Sequence, residues 1–282
     1  MLKSLEVKMK KNRLKDMWMA SQPTINGWLS MSSAFGSEIM ANQGYDSLTI
    51  DLQHGILDYS DCVKILQSTD SSPITPLTRV PWLDPGHIMK ALDAGSYGVI
   101  CPMINTREQA ERLVSYTHYP PSGIRSFGPT RALYSLGTDY YQTANDSIIC
   151  FAMIETAEAM TNLEEIVSTP GLDGVYIGPS DLAIGISNGR LAPGFDSEDP
   201  EIILAIKAIL KSAKKANIFA GLHCGSAEYA ARAIEWGFNM TTISSDGRLL
   251  AEAASESIMK VKKILKGEMN IIPRSEKQRE GY

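Results

Sequence analysis

The chain has 282 residues, of which 44% are hydrophobic and 21% charged, with a formal net charge of -5. That length supports a well-filled core, as one large α/β barrel or two ordinary domains. The acidic balance gives no basic surface for nucleic acid, and no apolar run of about 18 residues offers a membrane span.

The N-terminal stretch MLKSLEVKMKKNRLKD is basic but lacks the apolar centre of a secretory signal, and Glu6 and Asp16 make it too acidic for a mitochondrial targeting helix. It is expected to be a helix with a solvated basic face on a cytoplasmic protein. Cys62, Cys101, Cys150 and Cys224 form no Cys-x-x-Cys pair and lie in or beside apolar elements, so reduced, mostly buried thiols are expected. Cys224 follows His223 directly, but adjacent strand residues face opposite ways, which argues against a Cys/His pair.

Short β-type runs then alternate with helical patterns. Strands are expected at Ile25 to Leu29, Ser47 to Ile50, Thr75 to Arg79 and Gly98 to Cys101. Between them lie a helix from about Ser33 to Gln43, one capped by Asp58 or Ser60, and HIMKALDAG, which ends at Gly95. Thr106 caps the next helix, and Gln109 three residues on completes a capping box.

Residues 117 to 147 form a long insert rich in Pro, Gly, Ser and Tyr, of a length that is uncommon unless it has a function. A fifth strand follows at Ile148 to Ile154, with a helix to about Val167, and a sixth at Gly174 to Ile177 ending in the turn Gly178-Pro179-Ser180-Asp181. After a loop from Asn188 to Pro200 come the helix EIILAIKAILKSAKKA and strand seven, Ile218 to Leu222. A helix through Ala227 to Trp236, strand eight at Asn239 to Ile243 and a helix from about Leu249 to Leu265 complete the pattern. Residues 266 to 282 are expected to be a polar, disordered tail beyond a single domain of residues 1 to 265. Eight β/α units with no linker favour a single (β/α)₈ barrel over a doubly wound sheet, whose Gly-rich phosphate turn is missing.

In such a barrel the C-terminal strand ends share one mouth. Those ends carry Asp51 and His54, Arg79, Glu155 and Asp181. Each also has an ordinary reading: Asp51 as acceptor of backbone N–H bonds in a tight turn, His54 as a structural histidine, Arg79 as a salt-bridge partner. Glu155 and Asp181 compete as helix-start acids. Two carboxylates converging in a partly dry mouth repel unless a cation or proton lies between them. With no cysteine pair and no second convergent histidine, an oxygen-only site for Mg²⁺ or Mn²⁺ is the natural expectation. No lysine stands at these exits, which argues against a Schiff-base aldolase.

The segments GYDSLTIDLQHG, TRVPWLDPGHIMKALDAGSYGVICPMINTREQA, YPPSGIRSFGPTRA, MIETAEAMTNLEEI and GLDGVYIGPSDLAIGIS carry a family resemblance over about residues 24 to 260. The chain resembles the HpcH/HpaI family of metal-dependent, class II pyruvate aldolases. The resemblance implies a barrel of the phosphoenolpyruvate/pyruvate-binding type and cleavage or formation of the C3–C4 bond of a 4-hydroxy-2-oxo acid, with pyruvate and an aldehyde as partners. It implies a divalent metal, Mg²⁺ or Mn²⁺ with Co²⁺ as an alternative, on Glu155 and Asp181. It further implies that Asp51 holds His54, that Arg79 contacts the keto oxygen, and that Gly178, Pro179, Ser180 and Asp181 receive the pyruvate carboxylate. Family members are typically homohexamers, trimers of dimers that exchange the last barrel helix.

Two positions depart from the pattern: Gln53 stands where many members have an acid, and Met153 where many have a glutamine. His54 is the expected acid/base for the C4 hydroxyl. Arg125 and Arg131 of the insert are expected either to read the aldehyde's distal oxygens, with Tyr134 or Tyr140 nearby, or to be solvent-facing loop arginines that steady the fold, and Trp82 and Asp84 are expected to shape the mouth or a subunit contact. Competing expectations are oxaloacetate decarboxylation or a citramalyl-CoA type lyase on the same enolate site, and, further off, a binding protein on a degenerate barrel.

Overall fold

The computed structural model describes residues 11–268. Residues 1–10 of the expected N-terminal helix and residues 269–282 of the expected tail lie outside the described residues.

In chain order the elements are α1 (Arg13–Met19), β1 (Thr24–Leu29), α2 (Ala34–Ala41), β2 (Ser47–Asp51), α3 (Tyr59–Ser68), β3 (Thr75–Arg79), α4 (Pro85–Asp93) and β4 (Gly98–Cys101). Then come α5 (Arg107–Thr117), α6 (Ala132–Ser135), α7 (Tyr140–Ser147), β5 (Ile149–Met153), α8 (Ala157–Thr161), α9 (Leu163–Val167) and β6 (Gly174–Ile177). The chain continues through α10 (Pro179–Ile186), α11 (Pro200–Lys215), β7 (Phe219–Cys224), α12 (Ala227–Trp236), β8 (Met240–Ile243) and α13 (Asp246–Leu265). The eight strands form a closed barrel in chain order, every neighbouring pair parallel.

Local chemistry sets the helix starts. Asp58, not Ser60, caps α3, in a reciprocal box with Asp61, and Thr106 with Gln109 forms the expected box on α5. Asp84 accepts from the His87 N–H and caps α4, so its carboxylate serves the helix start. The insert is more ordered than its composition suggests, since it contains α6 and α7. The turn at residues 178–181 is the first turn of a helix, α10, that the apolar run Leu182–Ile186 continues.

One apolar layer lies between strands and helices, from Val80 and Ile88 round to Leu222 and Phe238. A second fills the barrel interior with Leu77, Ile100, Phe151, Met153, Tyr176 and Met240. Trp18 of α1 closes the N-terminal end: its ring stacks on Phe151 at 5.5 Å and its Nε1–H donates to Thr24 Oγ1. With that end plugged, the C-terminal strand ends remain as the open mouth. All four cysteines are buried and unpaired.

Up to Asp246 the described residues form one compact unit, and from Gly247 they form another. No described helix is long and apolar enough to cross a membrane.

Candidate active site

β2 and β3 deliver the first pair. In their register Asp51 stands opposite Arg79, and Arg79 grips it with two bonds, Nε to Oδ1 at 2.8 Å and Nη2 to Oδ2 at 2.6 Å. Trp28 of β1 adds its indole N–H to Asp51 Oδ2 at 3.1 Å, and the Arg79 guanidinium lies 4.8 Å from the Trp28 ring centroid. Burial opposes the charge on Asp51, but the Arg79 bonds and charge outweigh it, helped by Trp28 and the His54 N–H, and the carboxyl titrates below its ordinary range.

The expected Asp51–His54 couple is corrected here. Asp51 Oδ1 accepts the backbone N–H groups of Gln53 and His54, at 3.1 and 3.2 Å, not the imidazole. The turn reading of Asp51 therefore holds, and what the carboxylate orients is Arg79. The chain turns so tightly that a Cβ on Gly55 would strike the Asp51 carbonyl oxygen. His54 is exposed, and its ring bonds no described residue.

Glu155 does not cap a helix, because Thr156 caps α8 through the Ala159 N–H. It instead reaches the loop after β4, where Oε1 accepts the Met103 N–H at 2.8 Å. A Cβ on Gly178 would lie 2.5 Å from Glu155 Oε2 and 2.9 Å from the Met153 methyl, so only glycine leaves that oxygen uncovered. Burial pushes the Glu155 carboxyl up to about 7; the Met103 N–H opposes this, nearby Asp181 adds to it, and Arg79 opposes it. Asp181 is exposed in the first turn of α10, whose N-cap, Gly178, has no side chain to cap the helix.

The donor set fits an open cation site. No group of three or more His, Cys, Asp and Glu among the described residues is arranged to hold a metal. Two carboxylates, one buried with a raised pKa, leave the remaining positions to water and substrate oxygens, as hard divalent cations accept.

The expectation for Arg125 and Arg131 is corrected by topology. The insert joins the end of α5 to the start of β5, and such connections lie at the face opposite the mouth. Arg125 has a fully buried side chain, bonds Asp93 at 2.7 Å and Tyr140 OH at 3.0 Å, and packs on Tyr119. Arg131 donates to the carbonyls of Ala94 and Leu66, steadying the ends of α4 and α3. Tyr134 is exposed and Tyr140 fully buried.

His223, considered in the sequence only beside Cys224, stands at the mouth. β7 runs on to Cys224, so His223 lies within it; the ring meets Trp28 edge-on at 4.7 Å and Nδ1 bonds Tyr176 OH at 3.1 Å. A second histidine therefore does converge. Alternation was the available signal: buried Leu222 and Cys224 turn outward, which turns His223 in.

The model of the HpcH/HpaI aldolase/citrate lyase family matches residues 25–253. The chain belongs to this family. It is 38% identical over 247 residues to the hydroxypyruvate/pyruvate aldolase of Rhizorhabdus wittichii, covering 88% of this chain and 97% of that one. With the 4-hydroxy-2-oxo-heptane-1,7-dioate aldolase of Klebsiella pneumoniae it shares 33% identity over 86% of this chain and 91% of that one. A crystal structure of a HpcH/HpaI aldolase/citrate lyase family protein from Burkholderia cenocepacia superposes with a TM-score of 0.82 at 31% identity, over 89% and 99% of the two chains. This HpcH/HpaI member is a lyase of the aldolase type.

Proposed function

We propose that this chain is a divalent-metal-dependent aldolase that cleaves or forms the C3–C4 bond of a 4-hydroxy-2-oxo acid, giving pyruvate and an aldehyde. The observation that carries the proposal is the buried Glu155 carboxylate, with one oxygen on Met103 N–H and the other beside Gly178, near Asp181. Glu155 and Asp181 would hold Mg²⁺, Mn²⁺ or Co²⁺. A cation there supplies positive charge to the keto oxygen where negative charge develops during cleavage.

The chain's own residues do the rest. The uncapped N–H groups at the start of α10, Ser180 and Asp181, take the pyruvate carboxylate, with Pro179 fixing the first turn and Gly178 allowing close approach. Arg79, held by Asp51 and Trp28, presents a rigid guanidinium to the keto oxygen. His54, exposed at the exit of β2, takes the proton of the C4 hydroxyl as the C3–C4 bond breaks. The bonding electrons pass to the keto oxygen, the aldehyde leaves, and C3 regains a proton to give pyruvate.

Gln53 and Met153 mark where this member differs. Gln53 Oε1 is buried without a described partner, and Met153 sets a methyl beside Gly178. A cytoplasmic homohexamer completes the proposal; exposed Leu250, Ile258, Met259, Val261 and Leu265 on α13, and Phe35 and Ile39 on α2, support association. Metal-stripped protein incubated with pyruvate, an aldehyde panel and added Mg²⁺, Mn²⁺ or Co²⁺ tests the activity. Condensation that appears only with metal is expected, and condensation in excess chelator would refute the metal's role.

A further inference from the structure

The ladder between β4 and β5 ends with Cys101 opposite Ala152. Beyond it the two exits are tied together by the loop after β4, residues 102–106. Met103 N–H donates to Glu155 Oε1 at 2.8 Å. Two residues further on, Asn105 meets the neighbour of Glu155, its Oδ1 accepting the Thr156 hydroxyl at 2.6 Å. Thr156 Oγ1 itself accepts the Ala159 N–H as the cap of α8, so its own hydrogen is left for Asn105.

Asn105 is held at its backbone as well. Its N–H donates to Gln109 Oε1 at 2.6 Å, and its carbonyl accepts Asn162 Nδ2 at 2.8 Å. One residue thus joins the start of α5, the start of α8 and the turn between α8 and α9.

The loop needs such a hold. Met103 lies in the left-handed region, with φ of 57°, which side chains other than glycine disfavour. Ile104, next along, is fully buried and α5 follows, so the chain is anchored downstream. Relaxation of Met103 would therefore turn the Pro102–Met103 peptide, the plane that carries the Glu155 donor. With that N–H rotated away, the carboxylate is free to swing. α10 rests on the same stretch: a Cβ on Gly185 would lie 3.1 Å from Thr156 Cα and 3.3 Å from the Glu155 carbonyl oxygen. Displacement of Thr156 is consequently felt by the helix that carries Asp181.

We propose that Asn105 is a positioning residue for the cation site: it locks the exits of β4 and β5 together, so that Met103 N–H keeps Glu155 Oε1 and leaves Oε2, beside Gly178, for a divalent cation. It acts through Met103 and Thr156, without touching cation or substrate. The inference rests on the metal-dependent function proposed above.

The test uses the full metal-stripped chain and reads two quantities, the Mn²⁺ dissociation constant by calorimetry and hydrogen exchange of the Met103 amide by NMR before metal is added. Asn105→Ala raises the dissociation constant about tenfold and speeds Met103 exchange about tenfold. Asn162→Ala, which releases only the Asn105 carbonyl, does each by about threefold. Asn239→Ala removes a bond of the same kind at the base, from the Ala220 N–H, and leaves both quantities as in the wild type. An unmoved dissociation constant in folded Asn105→Ala overturns the inference, as does a rise without faster Met103 exchange or an equal rise in Asn239→Ala. If Asn105→Ala fails to fold, Asn162→Ala takes its place and the same outcomes decide. Wild-type protein separates the two levels. If it binds no Mn²⁺, Mg²⁺ or Co²⁺, the metal-dependent function falls and takes this inference with it. If it catalyses Mn²⁺-dependent exchange of pyruvate methyl protons while Asn105→Ala binds Mn²⁺ equally well, only the role of Asn105 falls.

Discussion

Arg79 and Arg125 each bond an aspartate, at 2.6 and 2.7 Å, yet the two pairs stand at opposite ends of the barrel. At the mouth, Asp51 takes Nε and Nη2 of Arg79, whose side chain is 12% exposed and whose charge is felt at Glu155. At the base, Arg125 is 0% exposed, enclosed by Tyr119 and Tyr140, and ties the insert to α4. The difference teaches that an arginine's chemistry follows from which connection carries it. A strand-to-helix exit leads to the mouth, and a helix-to-strand return leads away from it. A cavity alone is no guide, for one lined by Leu66, Asp70, Tyr97 and Arg131 lies at the base.

The largest effect is expected at the mouth. His54→Ala should lower kcat by about 10³-fold while Mn²⁺ affinity, measured by calorimetry, stays nearly constant. An equal loss of both would move His54 from acid/base work to metal support.

The arginine pairs can then be set against each other. Arg79→Lys keeps the charge but loses the planar fork, so kcat/KM should fall about 10²-fold with the melting temperature little changed. Arg125→Met should do the reverse. It strands Asp93 and costs about 3 kcal/mol in chemical denaturation, with kcat of the folded protein unaltered. Similar behaviour of the two variants would erase the distinction between mouth and base.

Glu155 sharpens the comparison through pH. Its folded-state pKa of about 7 exceeds the ordinary 4.5 of a glutamate, so the native metal-free protein holds the proton more tightly than the unfolded chain. Stability from this group is fully present below pH 4.5 and is lost as pH rises through about 7, by up to about 3 kcal/mol. Denaturation of metal-free protein across that window should show the loss, and Glu155→Gln should abolish it. The smallest effect is expected for Gly178→Ala, whose methyl would crowd Glu155 Oε2 and weaken cation binding about tenfold.

Much of this was legible in the sequence. Apolar runs that stop at Asp51, Arg79 and Glu155 mark strand exits, and eight such units leave few arrangements besides a barrel. The partner of Asp51 was harder to see, because His54 is three residues away in sequence while Arg79 is 28. Strand register, not sequence spacing, puts Arg79 opposite. Arg125 and Arg131 lie away from the mouth because the insert joins a helix end to a strand start, which its composition does not reveal. His223 reaches the mouth because β7 continues two residues beyond the expected end at Leu222.

Pyruvate enolisation is proposed to require a divalent cation held by Glu155 with Asp181. Exchange of pyruvate methyl protons in deuterated water, followed by NMR on chelated protein and after Mn²⁺ addition, tests it most directly. No exchange is expected after chelation, with recovery on Mn²⁺ addition in the wild type and none in Glu155→Gln. Undiminished exchange in chelator, or full recovery in Glu155→Gln, would contradict it.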